Sequence, residues 1–250
     1  MTFAELHRPG DPLILPNAWD VGTAKALARA GFAAIGTTSL GLAAAQGLLD
    51  ATQVTRRLTI ELAQRLRESK LGVFVTCDLE DGFSDDPAAI ADLVAELGVD
   101  GVNIEDATSG ELVDPRQHAA KITAIKRACP DVFVNARTDV FWLGGTDRVA
   151  ATDRARAYVD AGADGIFVPG VDDLDVLEPF INTISSPINV LASAQVSAQE
   201  FAEVGVARIS TGSLLYRVAL TSAVNAAELV RRSAQIPTAI GYDEVQTLNS

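Results

Sequence analysis

The sequence is poor in the features that would place a protein in a membrane or outside the cell. Its 250 residues contain two cysteines, Cys77 and Cys129, whose spacing fits no metal-binding motif. The first residues show no signal-peptide pattern, and no run approaches the roughly 18 consecutive apolar residues of a membrane helix. We therefore expect a cytoplasmic protein with no membrane partner, in which a disulfide between these cysteines would be unusual.

Positive charge is also scarce. The chain has 20 basic and 33 acidic residues, which give a formal net charge of −13. This balance disfavours nucleic acids and anionic membrane surfaces as partners. It is compatible with a small anionic substrate, provided that local arginines or a metal ion reverse the field at the binding site.

Short segments rich in Val, Ile and Phe alternate with longer segments of helical periodicity. Several helical segments end in a glycine suited to a left-handed helix C-terminus, at Gly31, Gly98, Gly162 and Gly205. The eight predicted strands span residues 13–19, 33–39, 72–79, 101–106, 132–138, 165–170, 188–192 and 208–212. This pattern predicts an α/β fold, a (β/α)8 TIM barrel, with 1–250 as one domain and 235–250 as a C-terminal tail. A doubly wound sheet is the alternative, but no glycine-rich phosphate motif follows the first strand.

Acidic residues accumulate where the third and fourth predicted strands end. In a TIM barrel the chemistry lies at these carboxyl ends. Asp78 and Glu80 share one face of the third strand, and Glu105 projects in the same way from the fourth. Neighbouring carboxylates raise one another's pKa unless a cation neutralises them, and Mg²⁺ takes one or two carboxylates while keeping waters. The alternative interpretation is a row of solvated loop acids.

Residues near this acidic cluster are predicted to have other roles. Cys77 lies on the opposite face of its strand and should pack against the helices. Asp86, followed by Pro87, should cap the next helix. On the fifth strand Asn135 and Arg137 share a face, so that Arg137 can reach the barrel mouth.

Four motifs in this order match a known family. They are "LPNAWDVGTAKALARAGFAAIGTTSLGLAAAQGLLD" at 15–50, "DLEDGF" at 78–83, "NIED" at 103–106 and "NARTDVF" at 135–141. With them the sequence resembles the isocitrate lyase and phosphoenolpyruvate mutase superfamily, in its short-chain branch. The resemblance implies a (β/α)8 barrel that binds a 2-oxo acid through Mg²⁺ and stabilises an enolate-like intermediate. It also implies a homodimer or homotetramer, in which the last helix is often exchanged between subunits.

The resemblance implies roles for individual residues. Asp78 matches the direct Mg²⁺ ligand (Mn²⁺ being the alternative ion), and Glu80 and Glu105 match acids that act on the metal through water. Arg137 matches the arginine that binds a substrate carboxylate or phosphonate, and Asn135 on the same face is assigned to substrate binding with it. The remaining matches are Thr38, Ser39 and Leu40 around the oxyanion, Asp50 near the metal and Trp19 at the pocket wall.

Two departures limit the reaction that this resemblance implies. The lyases carry a loop with a catalytic cysteine after the fourth strand, whereas residues 107–115 read "ATSGELVDP", without Cys, Lys or His. The phosphonomutases end the sixth strand with a histidine, where this chain has Pro169. His118 lies within a predicted helix, where packing or surface exposure is the expected role.

The resemblance therefore predicts the reaction intermediate more closely than it predicts the substrate. The function that we expect is that of a Mg²⁺-dependent C–C lyase or decarboxylase that acts on a small 2-oxo or hydroxy (di)carboxylic acid. Decarboxylation suits the missing proton donor, because the departing CO₂ needs no acid; retro-aldol cleavage would use Asp50 or a water as base. The alternatives are a phosphonopyruvate- or carboxyphosphonate-type mutase and a barrel that binds a metabolite without turnover.

Overall fold

A computed structural model describes residues 1–50 and 54–249 and shows a parallel β-barrel surrounded by helices. The strands are β1 (Leu13–Leu15), β2 (Asn17–Ala18), β3 (Ala34–Thr37), β4 (Phe74–Asp78), β5 (Gly101–Glu105), β6 (Ala107–Thr108), β7 (Glu111–Leu112), β8 (Phe133–Arg137), β9 (Gly165–Phe167), β10 (Ile188–Leu191) and β11 (Arg208–Ser210). Nine of them form one parallel sheet, and β6 and β7 form a separate antiparallel pair. All eight predicted strands are confirmed, and so is the TIM-barrel fold.

The first strand closes the barrel in two halves. Pro16 lies between β1 and β2, and proline has no N–H with which to continue a ladder. β1 therefore pairs with β11, and β2 pairs with β3. The side chain of Asn17 joins the two sides, because its Nδ2 donates to Thr37 O at 2.7 Å and its Oδ1 accepts from Gly212 N at 2.8 Å.

Helices follow the strands as the periodicity predicts. They are α1 (Val21–Arg29), α2 (Ser39–Ala45), α3 (Arg56–Glu68), α4 (Pro87–Leu97), α5 (Pro115–Ala128), α6 (Arg148–Asp160), α7 (Leu174–Thr183), α8 (Ala198–Glu203), α9 (Leu214–Arg231) and α10 (Tyr242–Asn249), with a short 3-10 helix at Ala4–Leu6. The predicted cap is confirmed: Asp86 accepts from Ala88 N at 2.9 Å, and Pro87 begins α4. Gly98 ends that helix with a left-handed φ of 59°.

The two last helices differ from the others. α10 occupies half of the segment predicted as a tail and contacts α1. Of the 18 residues of α9, only Tyr216 is buried, while Val218, Val224 and Val230 are at least half exposed. None of the described helices combines the length and the apolar character that a membrane span requires.

Side chains alternate between two kinds of surroundings. One face of each strand packs apolar residues against the helices, and Cys77 lies there as predicted, fully buried among residues such as Ile90 and Leu93. Burial raises the pKa of the Cys77 thiol to about 12, so it stays a protonated packing group. The other face lines the barrel interior and carries buried polar residues, among them Asn103 and Arg208.

Both histidines of the chain are buried. His118, on α5, is fully buried and lies edge-on to the Tyr158 ring at 4.6 Å between centroids. Burial lowers its pKa to about 3, and the nearby Lys121 and Arg154 act in the same direction. The expected packing role is thus the one that the structure supports, since a neutral imidazole is the form that fits there.

We predict that His118 makes the protein less stable in acid. Between pH 6.5 and about 3 His118 is protonated in the unfolded chain but stays neutral in the folded chain. Stability is therefore lost as the pH falls, by about 1.4 kcal/mol per pH unit. Urea denaturation of wild type and His118→Phe should show the variant losing about 2 kcal/mol less than wild type between pH 7 and pH 5. His7→Phe is the matched variant: burial also lowers the pKa of His7 to about 3, so this variant should show the same smaller loss of stability. Parallel stability curves for wild type and His118→Phe would contradict the prediction.

Candidate active site

A pocket opens at the carboxyl ends of the barrel strands. It is lined by residues of several strand ends and of the loops that follow them. Seven of the ten residues predicted from the sequence come together in its lining: Thr38, Ser39, Leu40, Asp50, Asp78, Glu105 and Arg137. The architecture explains this result, because parallel strands deliver their last side chains to a single rim.

Arg137 is the central cation of the pocket. Its Nη1 lies 2.6 Å from a Glu105 oxygen, and its Nε lies 2.6 Å from an Asp139 oxygen. The rings of Trp142 and Phe167 flank its guanidinium carbon at 5.4 and 5.5 Å from their centroids. Burial alone would lower the pKa of Arg137, but Glu105 and Asp139 outweigh that effect and raise it. The guanidinium is thus a fixed, permanent charge that can orient an anionic substrate.

The charged forms of the carboxylates around Arg137 are disfavoured by burial and by neighbouring acids. Burial raises the pKa of Asp78 and of Glu105; Arg137 opposes this, and the other acids of the pocket add to it. Asp78 is held by Ser39 N, which donates to its Oδ2 at 3.2 Å. Asp50 brings a buried Oδ1 that has no donor among the described residues. These acids fit a divalent cation, which would stabilise their charged forms and needs one or two direct carboxylate ligands.

Glu80 does not line the pocket, although its backbone oxygen accepts from Glu105 N at 2.7 Å. Its backbone is left-handed, with φ 51°, and its buried carboxylate accepts a hydrogen bond from the hydroxyl of Thr55. The sequence predicts that three carboxylates converge, but within residues 1–50 and 54–249 no group of three or more His, Cys, Asp or Glu is arranged to hold a metal. A role for Glu80 in metal binding through water stays a prediction, and Asp78 and Glu105 are the predicted metal residues that line the pocket.

Two other predicted residues lie outside the pocket lining. Trp19 packs edge-on against Tyr216, with ring centroids 5.2 Å apart, on the outer side of α2. Asn135 lies beneath the pocket and donates from Nδ2 to Asn103 Oδ1 at 2.8 Å. Their roles in substrate binding stay predictions. The lining instead includes an apolar wall of Trp142, Phe167 and Leu191, which no motif in the sequence identified.

A buried network behind the pocket positions the Arg137 partner. Asp106 is fully buried and accepts from Tyr158 Oη at 2.6 Å and Arg154 Nη1 at 3.0 Å. Its other oxygen accepts from Asp139 N at 2.7 Å, and Asp139 in turn binds Arg137. Burial raises the pKa of Asp139 to about 6, an effect that Arg137 opposes. The sequence places Asp106 at a strand end, but the role of Arg154 and Tyr158 depends on long-range contacts.

Comparisons with known proteins give matches over most of the chain. The family model described as phosphoenolpyruvate phosphomutase matches residues 3–231. An uncharacterised protein of Mycobacterium tuberculosis is 46% identical over 247 residues, which cover 98% of this chain and 95% of that protein. The 2-methylisocitrate lyase of Bacillus subtilis is 34% identical over 74% of this chain and 64% of its own length. A Burkholderia cenocepacia protein that is provisionally named a phosphonomutase is 38% identical, with a TM-score of 0.85 over 93% of this chain and 97% of that one.

We predict that the Tyr158 hydroxyl stabilises the fold through Asp106. The phenol donates to a fully buried carboxylate, so its loss leaves Asp106 with fewer donors. Tyr158→Phe should lower the free energy of unfolding by about 2 kcal/mol in urea denaturation. Tyr242→Phe is the control, since Tyr242 is 79% exposed, and it should change stability by less than about 0.5 kcal/mol. Equal effects of the two substitutions would show that the hydroxyl contributes nothing.

Proposed function

We propose, from the premise that the chain belongs to the phosphoenolpyruvate phosphomutase family, that it cleaves a C–C bond of a small 2-oxo or hydroxy carboxylic acid. Membership makes it an enzyme of the isocitrate lyase and phosphoenolpyruvate mutase superfamily, which contains C–C lyases and mutases. The observation that carries the finer proposal is the pair of raised-pKa acids, Asp78 and Glu105, beside the fixed cation Arg137.

The chain's own residues would divide the work as follows. Arg137 binds a substrate carboxylate, and the Trp142 and Phe167 rings near its guanidinium limit the directions in which that carboxylate can lie. Thr38, Ser39 and Leu40 line the pocket at the start of α2, where they would face the substrate's carbonyl oxygen. Asp78 would hold Mg²⁺, or Mn²⁺ in its place, directly, and Glu105 and Glu80 would act on the ion through water. When bound, the ion would supply positive charge to the oxygen on which negative charge develops.

Proton transfer is the step with the fewest candidate groups. The described lining of the pocket contains neither cysteine nor histidine. Within the described lining, Asp50 is the acid with a buried oxygen that has no donor among the described residues, so it would serve as base, or orient a water that does, in a retro-aldol cleavage. Decarboxylation asks for less, because CO₂ leaves without a proton. In the lyases that the sequence resembles, the loop after the fourth predicted strand carries the catalytic cysteine that serves as acid. In this chain the short β6–β7 hairpin follows that strand.

A phosphonopyruvate- or carboxyphosphonate-type mutase is the second candidate. The family model and the structural likeness to a provisionally named phosphonomutase favour it. Against it, Pro169 lines the pocket at the end of the β9 segment, where the resemblance leads one to expect a histidine. A barrel that binds a metabolite without turnover is the remaining alternative.

We also propose that the protein acts as a homodimer or homotetramer. The support is α9, which presents exposed Val218, Val224 and Val230 on a helix that buries one residue in its own chain. These valines point in different directions around the helix, so α9 as a whole is poorly packed in its own chain, as is typical of a helix that packs against another subunit. We further infer that the protein acts in the cytoplasm on small anionic substrates.

We predict that oxalate, which mimics an enolpyruvate, binds only when Mg²⁺ is present. Isothermal calorimetry should give binding to wild type with Mg²⁺ and none after chelation. Asp78→Ala should abolish that binding, because it removes the acid assigned as the direct metal ligand. Cys77→Ala is the matched control on the same strand: it faces the helices and should leave the affinity unchanged.

The same preparations decide the reaction. Oxaloacetate, methylisocitrate, dimethylmalate and phosphonopyruvate would each be incubated with Mg²⁺ and followed by release of CO₂, pyruvate or glyoxylate, and by phosphorus NMR. Product that disappears in Arg137→Ala would support a lyase or decarboxylase. A rearranged phosphorus signal would establish the mutase instead. Oxalate binding that is indifferent to Mg²⁺ and to Asp78→Ala would refute the proposed metal site.

A further inference from the structure

Arg208 is a buried cation in the barrel interior that no ion pair explains. It lies on β11 and is fully buried, and the described residues offer it no carboxylate within ion-pair distance. Its Nη2 donates to Asn103 Oδ1 at 3.2 Å, while Nε and Nη1 have no acceptor among the described residues. Burying a charge without an ion-pair partner costs free energy of folding. Stability therefore does not account for Arg208.

The contact with Asn103 fixes the direction of an amide. Asn103 Oδ1 accepts two hydrogen bonds, from Arg208 Nη2 and from Asn135 Nδ2 at 2.8 Å. The two ends of an amide are normally hard to tell apart, but a guanidinium can only donate. The end of Asn103 that meets Arg208 must therefore be the oxygen. The Nδ2 end is consequently turned away from Arg208.

The Nδ2 end belongs to the pocket. Asn103 lies on β5 in register with Asp78 on β4 and with Asn135 on β8, and it forms part of the pocket lining. It is 6% exposed, and its Nδ2 has no acceptor among the described residues. A neutral amide donor thus lines a pocket whose charged side chains are mostly carboxylates. Such a donor suits an oxygen of an anionic ligand.

We propose that Asn103 is a substrate-binding donor of the active site and that Arg208 is the residue that positions it. Arg208 holds the Asn103 oxygen from below, so that the amide N–H groups point to a carboxylate or carbonyl oxygen of the substrate. The positive charge also polarises the amide, which strengthens it as a donor. This inference rests on the proposed function, because it takes the ligand to be a 2-oxo or hydroxy carboxylate.

Asn103→Asp separates this role from a structural one. One Asp oxygen can still accept from Arg208 and Asn135, and it gives Arg208 the counter-charge that it lacks. Thermal melting should therefore find the variant at least as stable as wild type. The other oxygen would face the ligand in place of an N–H, so the oxalate affinity at saturating Mg²⁺ should fall by at least about 10-fold. The matched control is Asn189→Asp: Asn189 pairs with Arg208 in register, is 1% exposed and lies outside the pocket lining. It should change the affinity by less than about 3-fold.

Arg208 variants test the positioning role separately. Arg208→Lys keeps a donor and a charge beneath Asn103 and should retain most of the oxalate affinity. Arg208→Met removes both, so the amide is free to turn over, and the affinity should fall by about 10-fold. Rescue by lysine is the readout that a purely structural role does not predict, provided that both variants melt as folded proteins.

The outcomes separate this inference from the function on which it rests. Wild type that binds no oxalate with Mg²⁺ would overturn both. Wild type that binds, with Asn103→Asp binding equally well, would overturn the donor role of Asn103 alone. An equal loss in Asn189→Asp and Asn103→Asp would also overturn it, since added charge anywhere in the interior would then explain the effect. Equal losses in Arg208→Lys and Arg208→Met would overturn the positioning role.

Discussion

The structure depends on how four consecutive residues of one strand end, "NIED" at 103–106, are held by three arginines, of which Arg208 is fully buried and the other two are mostly buried. Arg208 donates a hydrogen bond to Asn103 from the barrel interior. Arg137 forms an ion pair with Glu105 at the rim, and Arg154 forms one with Asp106 from the helix side. Ile104 packs into the apolar core between them. Because each polar residue meets a different guanidinium on a different element, the segment is fixed in register, in depth and in direction. A shift of one residue would turn Glu105 towards the helices and break all three contacts.

This arrangement also explains how a strongly acidic chain can maintain a site for anions. Four acids lie at the mouth of the pocket: Asp50, Asp78, Glu105 and Asp139. Burial raises the pKa of the last three. Arg137 offsets part of that charge at the rim, and Arg208 adds positive charge one layer deeper. The remaining excess of negative charge is what a divalent cation would neutralise. The field at the pocket is thus set locally, and the net charge of the chain has little influence on it.

Much of the fold could be predicted from the sequence, because its signals are local. Strand and helix alternation, the Asp86–Pro87 cap and the outward direction of Cys77 each follow from a few neighbouring residues. The gathering of Asp78, Glu105 and Arg137 follows from the rule that parallel strands end at one rim. Glu80 shows the limit: alternation places it beside Asp78, but the chain leaves the strand after Asp78 and adopts a left-handed turn at Glu80. The roles of Arg154, Tyr158 and Arg208 could not be predicted, because their partners lie 48, 52 and 105 residues away in sequence.

The chemistry left to this pocket follows from what its rigid part can do. Arg137, Asn103 and the residues at the start of α2 are bound to neighbours on several sides, so they can hold an anion without reorganising as charge develops on it. That arrangement serves any reaction that passes through an enolate, whichever bond breaks. Reaction choice must then come from the groups that transfer protons, and within the described lining these reduce to carboxylates. A carboxylate whose pKa is raised by burial can act as an acid near neutral pH, and a neighbouring cation would remove that capacity by lowering the pKa. Binding of a divalent ion beside Asp78 would therefore decide which of the surrounding acids can still give up a proton, and through that choice it would set the reaction.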